Sequence, residues 1–192
     1  MDLNAFYEAE FDEHKAVLEA TRGALAEPLF RLVGLAADAL RADKKLMLFG
    51  NGGSAADCQH IATEMTVRYV NDRAPIRAIA LTTDTSALTA IANDMSFDDV
   101  FARQMEALGS PGDVAIAIST SGESENVIRG LVKAKEMKVT AVGFSGRGGG
   151  RMKGLADPLL LVPSDTTSRI QEMHITLGHM LCGALERELG LI

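Results

Sequence analysis

His60 and Glu64 stand four residues apart in the stretch LMLFGNGGSAADCQHIATE, residues 46 to 64. On a helix that spacing brings an imidazole and a carboxylate to one face, where two ligands can share one metal ion. It suits an ordinary surface His–Glu contact equally well. The residues just before the pair carry a second chemistry. Gly50, Gly52 and Ala55 match G-x-G-x-x-A behind an apolar segment. Such a strand-to-helix turn lets backbone N–H groups approach an anion at the positive end of a helix. A tight turn without ligand has the same spacing, and the anion could belong to a dinucleotide or to a sugar phosphate. A dinucleotide site also needs an acid about 20 residues on, at the end of the second strand. The first acid beyond that strand is Asp84, so the fingerprint lacks its second half.

A further anion site is written in IAISTSGESENVIRG, residues 116 to 130. Ser119, Thr120, Ser121 and Ser124 cluster where a strand should end and a helix begin. One serine there would be a helix cap; four hydroxyls in six residues exceed that need. Together with free N–H groups they suit phosphate oxygens without any lysine. Glu123 and Glu125 oppose an anion unless they turn to solvent.

These groups need a frame. Residues 3–25 place Leu3, Phe6, Tyr7, Phe11, Val17, Leu18 and Leu25 at helical spacing, and 28–42 fits a second helix with Pro28 near its start. Short apolar runs follow at 45–49, 76–81, 113–118, 139–144 and 158–162, with helix-like segments between most of them. That alternation predicts a parallel sheet covered on both faces, as one domain over 1–192. Both anion loops then lie at strand C-terminal ends, where open α/β sheets place ligands. SGRGGGRMKG, 145–154, suits a flexible surface loop. The last helix, 168–189, is apolar over much of its circumference, which calls for burial within the chain or between subunits. His14 and His174 fit core or interface histidines, and Cys58 a small helix residue.

Composition narrows the function. At 192 residues, with 47% apolar and 23% charged, the chain suits one globular core. No apolar run of about 18 residues occurs, which excludes a predicted membrane span. The acidic N-terminus does not look like a secretory signal, and two cysteines cannot build a disulfide framework, so a reducing cytoplasm is expected. A net charge of -7 argues against nonspecific nucleic-acid binding.

GNGGSAADCQH, TSALTAIAND, ISTSGESENV and SRIQEMHITLGH, in that order, resemble the phosphoheptose isomerases of the sugar-isomerase (SIS) superfamily. The resemblance runs through nearly the whole chain. It implies a three-layer α/β/α sandwich, flavodoxin-like, with a five-stranded parallel sheet over 44–192. N-terminal helices (1–43) would serve oligomerisation, in a homotetramer. The implied reaction takes sedoheptulose 7-phosphate to glycero-manno-heptose 7-phosphate for bacterial heptose and lipopolysaccharide synthesis. Carried over by motif, Asn51, Gly52, Gly53, Ser54, Glu64, Arg68, Asn93, Asp94, Ser119, Thr120, Ser121, Ser124 and Gln171 would touch substrate. Zn2+, one per subunit, would be held by His60, Glu64, Gln171 and His179. The chain departs from the family pattern at Glu123, more often Asn, and at Ser168, where some members carry an acid.

The chemistry can be stated from the residues. Aldose–ketose interconversion moves a proton between adjacent carbons through an enediol, and needs a base, an acid and stabilisation of oxyanion charge. Glu64 is the candidate base and His179 the candidate acid. No net redox change occurs, so no nicotinamide is needed. A carboxylate bound to zinc loses basicity, so a metal would chiefly polarise the sugar oxygens. Gln171 and His179 are separated by roughly 12 Å of rise and about 80° on one helix, so both must stretch or come from different subunits to share an ion. Two other readings remain at this stage. One is a non-catalytic SIS protein that binds the replication initiator, which would lack the acid–base pair. The other is an isomerase of another phosphosugar or a sensory SIS module.

Overall fold

Two helices open the fold, α1 (Leu3–Ala24) and α2 (Ala26–Arg41), in the computed structural model, which describes residues 1–192. Strands and helices follow: β1 (Leu46–Gly50), α3 (Gly53–Thr66), β2 (Ala78–Ala80), α4 (Thr85–Asp94), α5 (Val100–Leu108) and β3 (Val114–Ser119). The chain ends with α6 (Glu125–Glu136), β4 (Thr140–Ser145), β5 (Leu159–Leu161) and α7 (Thr167–Glu188). Every expected strand is present. Pro28 falls in the first turn of α2, where a missing N–H costs nothing.

All five strands pair in parallel, in the order β2-β1-β3-β4-β5. β1 and β3 are apolar and buried along their whole length because helices cover both faces. Alternate side chains serve the two cores. Leu46, Leu48, Ile116 and Phe144 pack with α2, α3 and α7, while Met47, Phe49, Ala115 and Ala117 pack with α5 and α6. The chain leaves β1 toward one sheet edge and β3 toward the other. The switch point therefore lies between β1 and β3, and their C-terminal ends open a crevice.

α7 packs against α1, α2 and α3, which buries Ile170, Met173, Leu177, Leu181 and Leu185 within the chain and leaves Met180 exposed. The dock of α1 is largely polar. Arg169 donates to the carbonyl and carboxylate oxygens of Glu10, both at 2.8 Å, and His14 Nδ1 lies 2.8 Å from Glu172 Oε2. At the other end of α7, Arg73 and Glu186 form a buried ion pair at 2.8 Å. Removing either partner strands the other charge, at a cost of about 3–5 kcal/mol.

The segment expected as a flexible surface loop leaves Arg147, Gly148, Arg151, Lys153 and Gly154 exposed but seats its middle against the fold. Arg147–Met152 forms short 3-10 turns with Gly149 and Met152 buried. The reason is Gly122, at φ +69, where a Cβ would lie 2.2 Å from the Gly149 carbonyl oxygen. The two loops meet backbone to backbone.

His174 is a core histidine. Its Nε2 lies 3.2 Å from the Ser145 carbonyl oxygen, its ring meets the Phe144 ring, and Nδ1 has no partner. Burial pushes its pKa from 6.5 down to about 4. Above pH 6.5 it is neutral in both folded and unfolded chains. Between the two values only the unfolded chain takes up the proton, so stability falls as pH falls, by about 3 kcal/mol at the folded pKa. Urea melts of the wild type and His174→Gln at about pH 7 and about pH 4.5 measure this loss. The variant should show the smaller acid sensitivity; equal sensitivity would remove His174 as its source.

Candidate active site

The crevice between β1 and β3 is rimmed by the two loops singled out above. Gly52 and Ser124 are the N-cap residues of α3 and α6, and neither helix start has a side-chain cap bond. Their first N–H groups are therefore open to a ligand. In the hydroxyl-rich loop, Ser119 Oγ accepts from Gly122 N and Ser121 Oγ from Glu123 N, both at 3.2 Å. Those bonds shape the loop, while Ser124 is free of the capping duty one serine would have. Glu125 is neutralised by Arg151 at 2.6 Å and Arg129 at 2.9 Å, and these bonds hold its carboxyl below the usual range. Glu123 is exposed, with its carboxylate beside Gly150. Neither acid prevents an anion from approaching the helix starts.

Asn126 was not singled out from sequence. Its side chain exchanges two hydrogen bonds with Asn51, at 2.8 and 2.9 Å, and ties the glycine turn to the start of α6. Ser54 is buried under that turn. Gln171 lies against Gly53, where an added Cβ would come within 2.4 Å of its Nε2.

Further along α3, its outer face meets α7. Close approach depends on Gly178, where any Cβ would sit 2.4 Å from Ile61 Cδ1. His60 Nε2 lies 2.8 Å from His179 Nε2 and 3.7 Å from Glu64 Oε1. The proposed base and acid thus converge on the same imidazole nitrogen. The Tyr69 ring stacks on His179, with centroids 5.7 Å apart and planes 25° apart. One turn before His60, Asp57 Oδ2 is buried without a partner, and burial raises its carboxyl pKa against the opposing pull of His60 and His179. Asp57 shares the helical face of His60 by its i, i+3 spacing, a signal readable in the sequence. The roles of Tyr69 and of Arg73, which bonds the end of α3, had no such signal.

Three other expected contacts have different partners within one chain. Arg68 is exposed and paired with Asp72 at 2.6 Å. Asn93 and Asp94 are exposed at the end of α4 and bond to each other at 2.7 Å. No three His, Cys, Asp or Glu side chains form a group arranged to hold a metal. The donor chemistry nevertheless fits one. Two imidazole nitrogens facing each other at 2.8 Å cannot both present lone pairs unless a proton or cation lies between them. Neutral imidazoles with a nearby carboxylate suit Zn2+.

Parallel sheet, switch point and paired uncapped helix starts define a class, the open α/β domains that take an anionic ligand at the strand C-terminal ends. A family model described as SIS domain matches residues 11–146. The chain is 54% identical to a phosphoheptose isomerase from Paramagnetospirillum magneticum over 97% of both chains. Its structure is similar to that of a phosphoheptose isomerase from Neisseria gonorrhoeae, with a TM-score of 0.91, 42% identity and coverage of 96% and 99% of the two chains. A phosphoheptose isomerase from Francisella tularensis superposes with a TM-score of 0.94 at 29% identity, covering 97% and 100%. The chain belongs to the phosphoheptose isomerase family of SIS-domain proteins.

Proposed function

We propose that this chain interconverts sedoheptulose 7-phosphate and glycero-manno-heptose 7-phosphate through an enediol. The convergence of Glu64 and His179 on His60 Nε2, beside a crevice with two uncapped helix starts, carries the reading. The phosphate sits on the loop of Ser119, Thr120, Ser121 and Ser124, and the sugar extends toward Asn51 and Gly53. Glu64 removes a proton from C1 of the ketose while the electrons move to the C2 carbonyl, whose oxygen His179 protonates. The enediol then gives its O1 proton back to His179 and takes at C2 the proton held by Glu64, leaving the aldose and both side chains as they began.

His60, Glu64, Gln171 and His179 would hold Zn2+ once drawn together, and the ion would supply a Lewis acid that polarises the sugar oxygens. Arg68 and the Asn93–Asp94 pair bond to neighbours on or beside their own elements, and a neighbouring copy in a homotetramer would bring them to substrate. Leu3, Phe6, Tyr7 and Phe11 of α1 are exposed, and a groove lined by Leu18, Leu25, Phe30 and Met180 is open, as interfaces between copies would require. No helix is long and apolar enough to cross a membrane. The product would feed heptose units of lipopolysaccharide from the cytoplasm.

Purified protein incubated with sedoheptulose 7-phosphate, before and after metal stripping, tests this directly. A new aldose signal that weakens on stripping and returns with Zn2+ is expected. No aldose under any condition would overturn the isomerase reading, and full activity without metal would overturn the Lewis-acid role.

A further inference from the structure

Arg73 lies in the loop after α3, yet its side chain is only 1% exposed. Its Nη2 donates to the carbonyl oxygen of Glu64 and its Nη1 to that of Met65, both at 2.7 Å. Nε donates to Glu186 Oε1 at 2.8 Å. The same Glu186 oxygen accepts from Tyr69 N at 3.2 Å, and the Tyr69 ring is the one stacked on His179. The last carbonyls of a helix lack N–H partners, and a guanidinium both satisfies them and suits the negative helix end. Its flat fork bonds three points at fixed angles, which an ammonium cannot do.

We propose that Arg73 and Glu186 are positioning residues that set the catalytic base against the catalytic acid. The guanidinium fixes Glu64 through its own backbone carbonyl. The carboxylate fixes Tyr69, whose ring in turn fixes the His179 imidazole. One buried ion pair thus governs the separation of two groups on different helices. The inference rests on the acid–base assignment proposed above.

The chain has no Trp and two Tyr, so in a Tyr7→Phe background Tyr69 is the sole source of tyrosine emission. In that background Arg73→Lys should lower kcat by about tenfold to a hundredfold, with KM within about twofold, because misplacement of about 1 Å is felt in the chemical step. Tyr69 emission should change in intensity as its ring leaves the imidazole. Glu186→Gln keeps one acceptor oxygen for Arg73 Nε and Tyr69 N but removes the charge, and serves as the second variant should Arg73→Lys fold poorly. Unchanged kcat, unchanged emission, or kcat and KM worsening in step would overturn the clamp. Glu64→Gln, assayed alongside, separates the two readings. Full activity there overturns the acid–base assignment and the clamp with it; lost activity there beside wild-type kcat in Arg73→Lys overturns the clamp alone.

Discussion

Glu64→Gln and His179→Asn are each expected to lower kcat by about a thousandfold while leaving the protein folded, the scale for loss of a positioned acid or base. Glutamine preserves the length and shape of Glu64 and removes its negative charge and its ability to take a proton. The His179 side chain sits at the α3–α7 surface, half-buried under Tyr69, so its loss opens no core cavity. KM should change little in either variant, since neither group holds the phosphate. The double variant should be hardly worse than the singles, because two groups serving one proton transfer fail as a unit. Steady-state kinetics with thermal melts as the folding control decide the matter. Either single variant retaining activity within about tenfold of wild type would remove that residue from the reaction.

Gly122→Ala should damage both stability and substrate binding. A Cβ there meets the Gly149 carbonyl oxygen at 2.2 Å and its carbon at 2.6 Å, against backbone that cannot swing away as a side chain would. Left-handed backbone adds about 1–2 kcal/mol of strain for any L side chain, and overpacking adds about 1–3 kcal/mol. The displaced loop carries Thr120, Ser121 and Ser124, so kcat/KM should fall about a hundredfold. Gly148→Ala isolates the strain from the clash. Gly148 also has a positive φ, +77, but nothing lies within 4 Å of its would-be Cβ. It should cost only the strain and leave catalysis near wild type. Urea midpoints and KM for the pair measure both effects, and equal behaviour would show that the loop–loop contact does not matter.

The architecture was largely legible because it is written in short-range patterns. Continuous apolar runs of five or six residues, such as LMLFG and VAIAIS, have no exposed face to offer and so announce a sheet covered on both sides. The serine-rich loop was legible for a similar reason: four hydroxyls beside a glycine exceed what capping one helix needs. The seating of Gly149 within the glycine-rich segment 145–154 was not legible, because glycine signals equally a free chain and a tight backbone contact. Only the approach of Gly122 to Gly149 distinguishes them.

Local periodicity thus settled the strands, the helices, the two anion-ready loops and the shared face of His60 and Glu64, since each depends on neighbours a few residues away. The meeting of His60 with His179, 119 residues apart, was settled by packing alone. So were the Asn51–Asn126 exchange and the seating of Arg73 on the Glu64 carbonyl. The histidines meet because α3 and α7 are brought side by side on one face of the sheet, with Gly178 letting the helices approach, and the asparagines meet because β1 and β3 are neighbouring strands. A linear pattern encodes what lies within a helical turn or a strand pair; which turns end up touching is decided only when the layers stack.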